Sequence, residues 1–177
     1  MARLVAIFLA ALLLAGGAVA AWNYTTLQQQ AQDVCTADSR NAGIKVLAHY
    51  GGFVNPNVLV FDLRGLSGDN SPMDVTRTLL QYAERQKDRR FDRVILSYKG
   101  TAKFELEGDY FRTLGKNYEH ENPVYTLRTL PENVYRLDGS PAFGTWTGGL
   151  LGVVGKQMED LNELHRQWYL EEYAAGG

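Results

Sequence analysis

Residues 58–63 read Val-Leu-Val-Phe-Asp-Leu, and this stretch decides the fold. Apolar, β-branched and aromatic side chains fill it without alternation, apart from one aspartate, as a strand buried on both faces requires. A strand of this kind lies inside a sheet, and helices or further strands must cover it. The stretch therefore predicts an α/β domain built around a central strand.

A helix start follows this strand after a glycine-containing loop. Ser71 can cap the helix, Pro72 suits its first turn, and Asp74 can reach back to the cap amide. Two more strands are expected after the helix, at residues 93–98 and 102–107, joined by a tight turn. The strand, the helix and the next strand should form a right-handed parallel unit, and the hairpin then adds an antiparallel neighbour.

The remaining elements complete the order β-α-β-β-α-(β)-α in a single globular domain of residues 44–177. We expect a short helix after Asp109, a fourth strand at residues 124–129, an irregular segment at 130–147 and a last helix at about 150–173. Residues 44–50 are ambiguous between helix and strand. The sequence thus predicts an α/β (α+β) fold, with a mixed β-sheet packed against helices and preceded by an N-terminal apolar helix.

The N-terminal segment indicates where the protein goes. Residues 4–22 carry no charged side chain, follow Arg3, and contain the small-x-small sequence Ala18-Val19-Ala20. This is the layout of a signal peptide, here residues 1–20, which predicts export to the periplasm or cell envelope. The alternative is an uncleaved membrane anchor over residues 4–22, since about 20 apolar residues cross a bilayer. Residues 21–43 then form a helical spacer or the first helix of the domain.

Composition and motif spacing argue against several classes of function. The net charge is −2, which argues against broad binding to nucleic acid. The glycine-rich stretch ending in Gly155-Lys156 lacks the spacing and the Ser or Thr of a phosphate-binding loop, so we expect no nucleotide. The histidines are scattered and Cys35 is the only cysteine, so the sequence predicts no metal site and no cofactor. His165 is expected at the surface or boundary of the last helix.

One segment before the last helix has the composition of a recognition surface. Its aromatic and arginine side chains, interleaved with turn residues, are Arg128, Tyr135, Arg136, Phe143 and Trp146. Such combinations are common at interfaces, and long irregular segments in compact domains are often functional. The sequence therefore predicts a non-enzymatic binding or assembly module of the cell envelope, with an envelope protein or the membrane surface as partner. Core packing is the alternative role for this segment.

The alternative function is a small, hydrolase-like envelope enzyme with a site near Asp62 and the following loop. Asp62 lies near the carboxyl end of the central strand and Arg64 follows two residues later, where ligands of open α/β sheets often bind. No second catalytic group is identifiable by spacing, so the two side chains can equally pair with each other. An Asp62 cleft would favour the enzyme, and an exposed patch of Tyr135, Phe143 and Trp146 would favour the binding module.

Overall fold

A computed structural model describes residues 2–120 and 123–176, and it shows helices packed on a five-stranded mixed sheet. The helices are α1 (Ala2–Asn23), α2 (Gln29–Ala37), α3 (Pro72–Arg85), α4 (Gly108–Asn117), α5 (Pro123–Thr129), α6 (Leu150–His165) and α7 (Glu171–Ala175). The strands are β1 (Lys45–Gly51), β2 (Asn55–Gly65), β3 (Arg93–Tyr98), β4 (Thr101–Glu107) and β5 (Val134–Tyr135). Two π-helical segments, Tyr24–Gln28 and Arg166–Leu170, join α1 to α2 and α6 to α7. The predicted α/β fold is confirmed.

The strands lie in the order β1-β2-β3-β4-β5. β2 contains the central stretch and runs parallel to β3, and α3 connects the two, as predicted for a β-α-β unit. The other neighbours are antiparallel. The ambiguous residues 44–50 fall mainly in a strand, because β1 forms a hairpin with β2 and half of its side chains reach the core. The helix start is also as predicted, with a capping box between Ser71 and Asp74.

The predicted strand at residues 124–129 is wrong, because this segment is helix α5. The chain enters it with a proline, which suits the first turn of a helix. Thr126 and Leu130 are both buried, and a spacing of four places them on one helical face. The place beside β4 is taken instead by the two residues of β5, within the segment that was expected to be irregular.

The main core lies between one face of the sheet and the helices. Leu59, Phe61 and Leu63 alternate toward this side and are buried. The ring centroid of Phe61 lies 5.6 Å from that of Tyr82 on α3 and 6.2 Å from that of Trp168 in the second π segment. The opposite face of the sheet is only half-buried along a cross-strand row made of His49, Val60, Ile95, Glu105 and Tyr135.

The N-terminal helix continues into this core. α1, the first π segment and α2 form one helix over Ala2–Ala37 that is long and apolar enough to cross a membrane. Its apolar part is exposed, whereas Leu27, Ala31 and Val34 are buried where the helix packs on β1 and α3. A helix of this kind near the start of a chain is compatible with a signal sequence or with a membrane anchor.

Candidate functional site

Two residues of the predicted recognition segment serve mainly to hold the fold together. Arg128 Nε donates to Gln157 Oε1 at 2.9 Å, and Gln157 Nε2 donates to Glu132 Oε1 at 2.7 Å, so these bonds tie α5 to α6. Phe143 is half-buried, with its ring centroid 5.9 Å from that of Phe104 in β4. Both side chains therefore have partners inside the domain.

Tyr135 and Arg136 lie at the edge of the sheet. Tyr135 pairs with Glu105 on one side and with Pro141 on the other. The N–H of Arg136 donates to the carbonyl of Ser140 at 2.8 Å, closing a turn on which Arg136 is exposed. Because proline has no N–H to donate, Pro141 blunts this edge against pairing with another strand. Of the two, Arg136 is the side chain that is fully accessible to a partner.

Trp146 is held at the surface. The side chain is 37 % exposed, and its Nε1 donates to the Asp160 carboxylate at 2.6 Å. The Lys156 ammonium lies 5.8 Å from the centroid of the indole, within reach of a cation–π contact. Asp160 and Lys156 both belong to α6, so the ring is fixed against the outside of that helix. We call these three residues the Trp146 surface.

The five predicted residues do not join into one patch. Across residues 2–120 and 123–176, no ring contact or hydrogen bond connects Trp146 with Tyr135 or Phe143. The structure instead divides them between domain contacts, the sheet edge and the Trp146 surface. Sequence reasoning missed Asp160 and Lys156, because a charged pair on a helix gives no signal that an indole lies against it.

Asp62 and Arg64 form an ion pair that stabilises a turn. Asp62 is 1 % exposed; its Oδ1 accepts the N–H of Gly100 at 3.1 Å, and its Oδ2 lies 3.0 Å from Arg64 Nε. Gly100 belongs to the turn between β3 and β4, so the carboxylate fastens that turn to β2. Both oxygens are used within the fold, and neither partner is a second acid or base. This geometry gives the enzyme alternative no support.

A groove of about 400 Å³ lies beside α3. It is lined by Arg40, Met73, Arg77, Leu80, Tyr118 and Leu127. Its two guanidinium groups are already paired, Arg40 with Asp38 at 2.7 Å and Arg77 with Asp74 at 2.7 Å. The hydrogen bond from Arg40 holds the pKa of the Asp38 carboxyl well below its usual range. The groove therefore offers little unpaired positive charge to an anionic ligand.

His165 is buried, which corrects the expectation that it lies at the surface. Its Nε2 lies 2.9 Å from Thr76 Oγ1, whose hydroxyl donates to the carbonyl of Pro72 at 3.2 Å. Thr76 has a single hydroxyl proton, so when it donates to Pro72 the ring N–H of His165 is the donor in the other bond. Burial lowers the pKa of His165 to about 4, because desolvation disfavours the charged imidazolium. Its ring packs against Trp168 and Tyr169 in the core.

Comparison with known proteins adds no functional assignment. No protein-family model matches the chain, and no curated protein or solved structure matches it either. Among residues 2–120 and 123–176, no group of three or more His, Cys, Asp or Glu side chains could hold a metal ion. The features from which a function can be argued are the N-terminal helix and the Trp146 surface.

Proposed function

We propose that the protein is an exported, non-enzymatic binding or assembly module of the cell envelope, held at the membrane by its own N-terminal helix. The observation that carries this proposal is the continuity of that helix, which is exposed and apolar over α1 and then packs on the domain core through Leu27, Ala31 and Val34. A helix shared between a bilayer and a core sets the height of the domain above the membrane.

The contacts at the end of α1 favour the anchor over the cleaved signal peptide. The bond between Ala20 and Ala21 lies inside continuous helix. Asn23 Nδ2 donates to the Val19 carbonyl at 2.9 Å, and this bond bridges the cleavage point. In the folded chain, cleavage there would require the helix to unwind first, because proteolysis favours exposed, irregular segments. We infer that residues 1–20 remain attached.

The surface proposed to bind the partner is the Trp146 surface. Tryptophan is among the side chains that contribute most binding energy at interfaces, and a ring already held in place loses little entropy on binding. The indole is fixed by Asp160 and Lys156 while a third of it stays accessible. The partner we propose is an envelope protein with an apolar pocket for the indole and polar groups around its rim.

Site-specific photo-crosslinking in the native membrane tests this assignment. A photoreactive amino acid replaces Trp146 in one variant and Tyr125 in a matched control, since Tyr125 is also an exposed aromatic residue but lies on α5. We expect a discrete crosslinked product in the membrane fraction from position 146 and a weaker one or none from position 125. Equal products from both positions, or none from either, would contradict the proposal.

A further inference from the structure

The turn between β1 and β2 carries exposed apolar side chains at its tip. Phe53 is 45 % exposed and Val54 is 62 % exposed. Phe53 also has a φ of +66°, in the left-handed region that bulky residues avoid. In a turn that faces water, Gly or Asn would adopt this conformation with less strain. The ring of Phe53 stacks on that of His49, with the centroids 4.1 Å apart, yet nearly half of the residue stays exposed, so the tip presents apolar surface to its surroundings.

This tip is bonded directly to the end of α1. Asn23 Nδ2 donates to the carbonyl of Phe53 at 2.7 Å, and Asn23 Oδ1 accepts the N–H of Tyr50 at 2.8 Å. The ring of Trp22 stacks on that of Tyr50, with their centroids 4.3 Å apart. Through these contacts the tip lies level with the last residues of α1.

The length of α1 determines where the hairpin tip lies relative to the bilayer. At 1.5 Å per residue, the uncharged stretch from Leu4 to Trp22 spans roughly 27 Å, close to the thickness of about 30 Å of the hydrocarbon core of a bilayer. Trp22 then lies at the boundary between lipid and water, where aromatic rings are favoured. Because Asn23 binds the backbone of Phe53, the tip lies at the same boundary.

The loop after α3 brings positive charge to this end of the domain. The N–H of Asp92 donates to the carbonyl of Asn57 at 2.7 Å, and Arg89 Nη1 donates to the hydroxyl of Tyr50 at 3.0 Å. The loop at residues 86–92 contains three cationic side chains, of which Lys87 is paired with Glu84 at 3.0 Å, and two carboxylates, Asp88 and Asp92. Arg89 and Arg90 are therefore the cations that remain for lipid phosphate groups, which carry negative charge.

We propose that the hairpin tip, Phe53 and Val54, enters the headgroup region of the phospholipid bilayer beside α1 and gives the domain a second membrane contact. The proposal rests on the uncleaved anchor of the proposed function. One helix alone leaves a domain free to tilt, whereas two adjoining contacts hold it upright. The continuity of the tip with the end of α1 is what assigns the bilayer as the occupant.

Depth-dependent fluorescence quenching tests this contact on the full chain in lipid vesicles. Cys35 is the only cysteine, so a Cys35→Ala background accepts a single new cysteine carrying an environment-sensitive dye. The test position is Val54→Cys. Leu13→Cys, in the middle of α1, is the control for deep insertion, and Leu137→Cys, on the exposed turn after β5, is the control for water. Quenchers attached to lipids at the headgroup level or deep in the acyl chains report the position of each dye.

We expect the dye at position 54 to be quenched by the shallow quencher, that at position 13 by the deep one, and that at position 137 by neither. Equal lack of quenching at positions 54 and 137, with position 13 quenched, overturns the hairpin contact and leaves the anchor standing. A blue-shifted but unquenched dye at position 54 overturns it too, because a protein surface then covers the tip. Lack of quenching at position 13 overturns the anchor itself. Thermal unfolding of each variant confirms that it is folded.

Discussion

Two tryptophans near the C-terminus form the same kind of hydrogen bond in opposite environments. Trp168 is 1 % exposed and its Nε1 donates to the Ser97 carbonyl at 3.0 Å, on the sheet. Trp146 is far more exposed, and its Nε1 donates to Asp160 on the outside of α6. Since both N–H groups are satisfied, the hydrogen bond does not distinguish the two roles. The ring contacts distinguish the two roles, because Trp168 packs against other aromatic rings, whereas Trp146 contacts a lysine and solvent.

The largest effect is expected from truncating the buried ring. Trp168→Ala should lower the free energy of unfolding by about 3–5 kcal/mol, because a buried aromatic side chain leaves a cavity. It also leaves the Ser97 carbonyl without its donor. Urea denaturation of the detergent-solubilised chain measures this, with Trp168→Phe as a milder control. A loss below about 0.5 kcal/mol, the scale of an ordinary surface substitution, would break the contrast between the two tryptophans.

The neighbouring His165 should make the same core sensitive to pH. Its pKa is about 4 in the folded chain and near 6.5 in the unfolded chain, so the unfolded state takes up a proton first as the pH falls. Stability should therefore be complete above pH 6.5 and decrease by about 3 kcal/mol as the pH falls toward 4. Denaturation midpoints at several pH values between 7 and 4 measure this.

His165→Gln is the matched control, because glutamine keeps a donor for Thr76 and has no proton to gain. The free energy of unfolding of this variant should decrease less between pH 6.5 and 4. An unchanged slope in this variant would show that other groups are responsible.

Removing the helix cap at Ser71 should lower the free energy of unfolding by less than the changes above, because Ser71 is exposed. Ser71 Oγ accepts the N–H of Asp74 at 3.3 Å, and the N–H of Ser71 donates to Asp74 Oδ2 at 2.7 Å. Ser71→Ala should cost about 0.5–2 kcal/mol in the free energy of unfolding, and Ser71→Thr less. Crosslinking from position 146 should be unaffected. An unaltered denaturation midpoint for Ser71→Ala would mean that this cap contributes nothing.

The smallest effect on stability is expected from Trp146→Ala. Surface substitutions usually change the free energy of unfolding by less than about 0.5 kcal/mol, and the loss of one exposed hydrogen bond adds little. Recovery of the partner should nevertheless be abolished, since the indole is its anchor. Thermal denaturation and partner recovery are measured on the same sample. A loss of stability as large as that of Trp168→Ala would show that Trp146 is a core residue and would contradict its surface role.

The elements predicted correctly from the sequence are those with local signals. The apolar run of β2 and the capping box at Ser71 are each encoded by residues that are close together in the sequence. The strand predicted at 124–129 failed because Tyr125 and Leu127 have the two-residue spacing of a strand, whereas the positions that are buried, Thr126 and Leu130, have the spacing of a helix. β5, with two residues, is too short to show a period.

Long-range contacts account for the parts of the candidate site that the sequence could not reveal. His165 is buried against Trp168 and Tyr169, and its hydrogen-bond partner Thr76 lies 89 residues earlier in the chain. The sequence also gives no signal that Asn23 binds the backbone of Tyr50 and Phe53 at the turn after β1. Similarly, the sequence does not show that Arg128 is hydrogen-bonded to Gln157 of α6. Composition located a region rich in candidate residues, and tertiary contacts decided which of them stay accessible.

The intact mass of the chain recovered from membranes of its native host tests the central claim most directly. The claim that α1 is a permanent anchor predicts a membrane-bound protein that retains residues 2–20, with a mass near the 19.8 kDa of the whole chain. It should resist extraction by salt and alkali and dissolve only in detergent. A mass that lacks residues 1–20, from protein found in the soluble fraction, would contradict it, and α1 would then be a signal peptide.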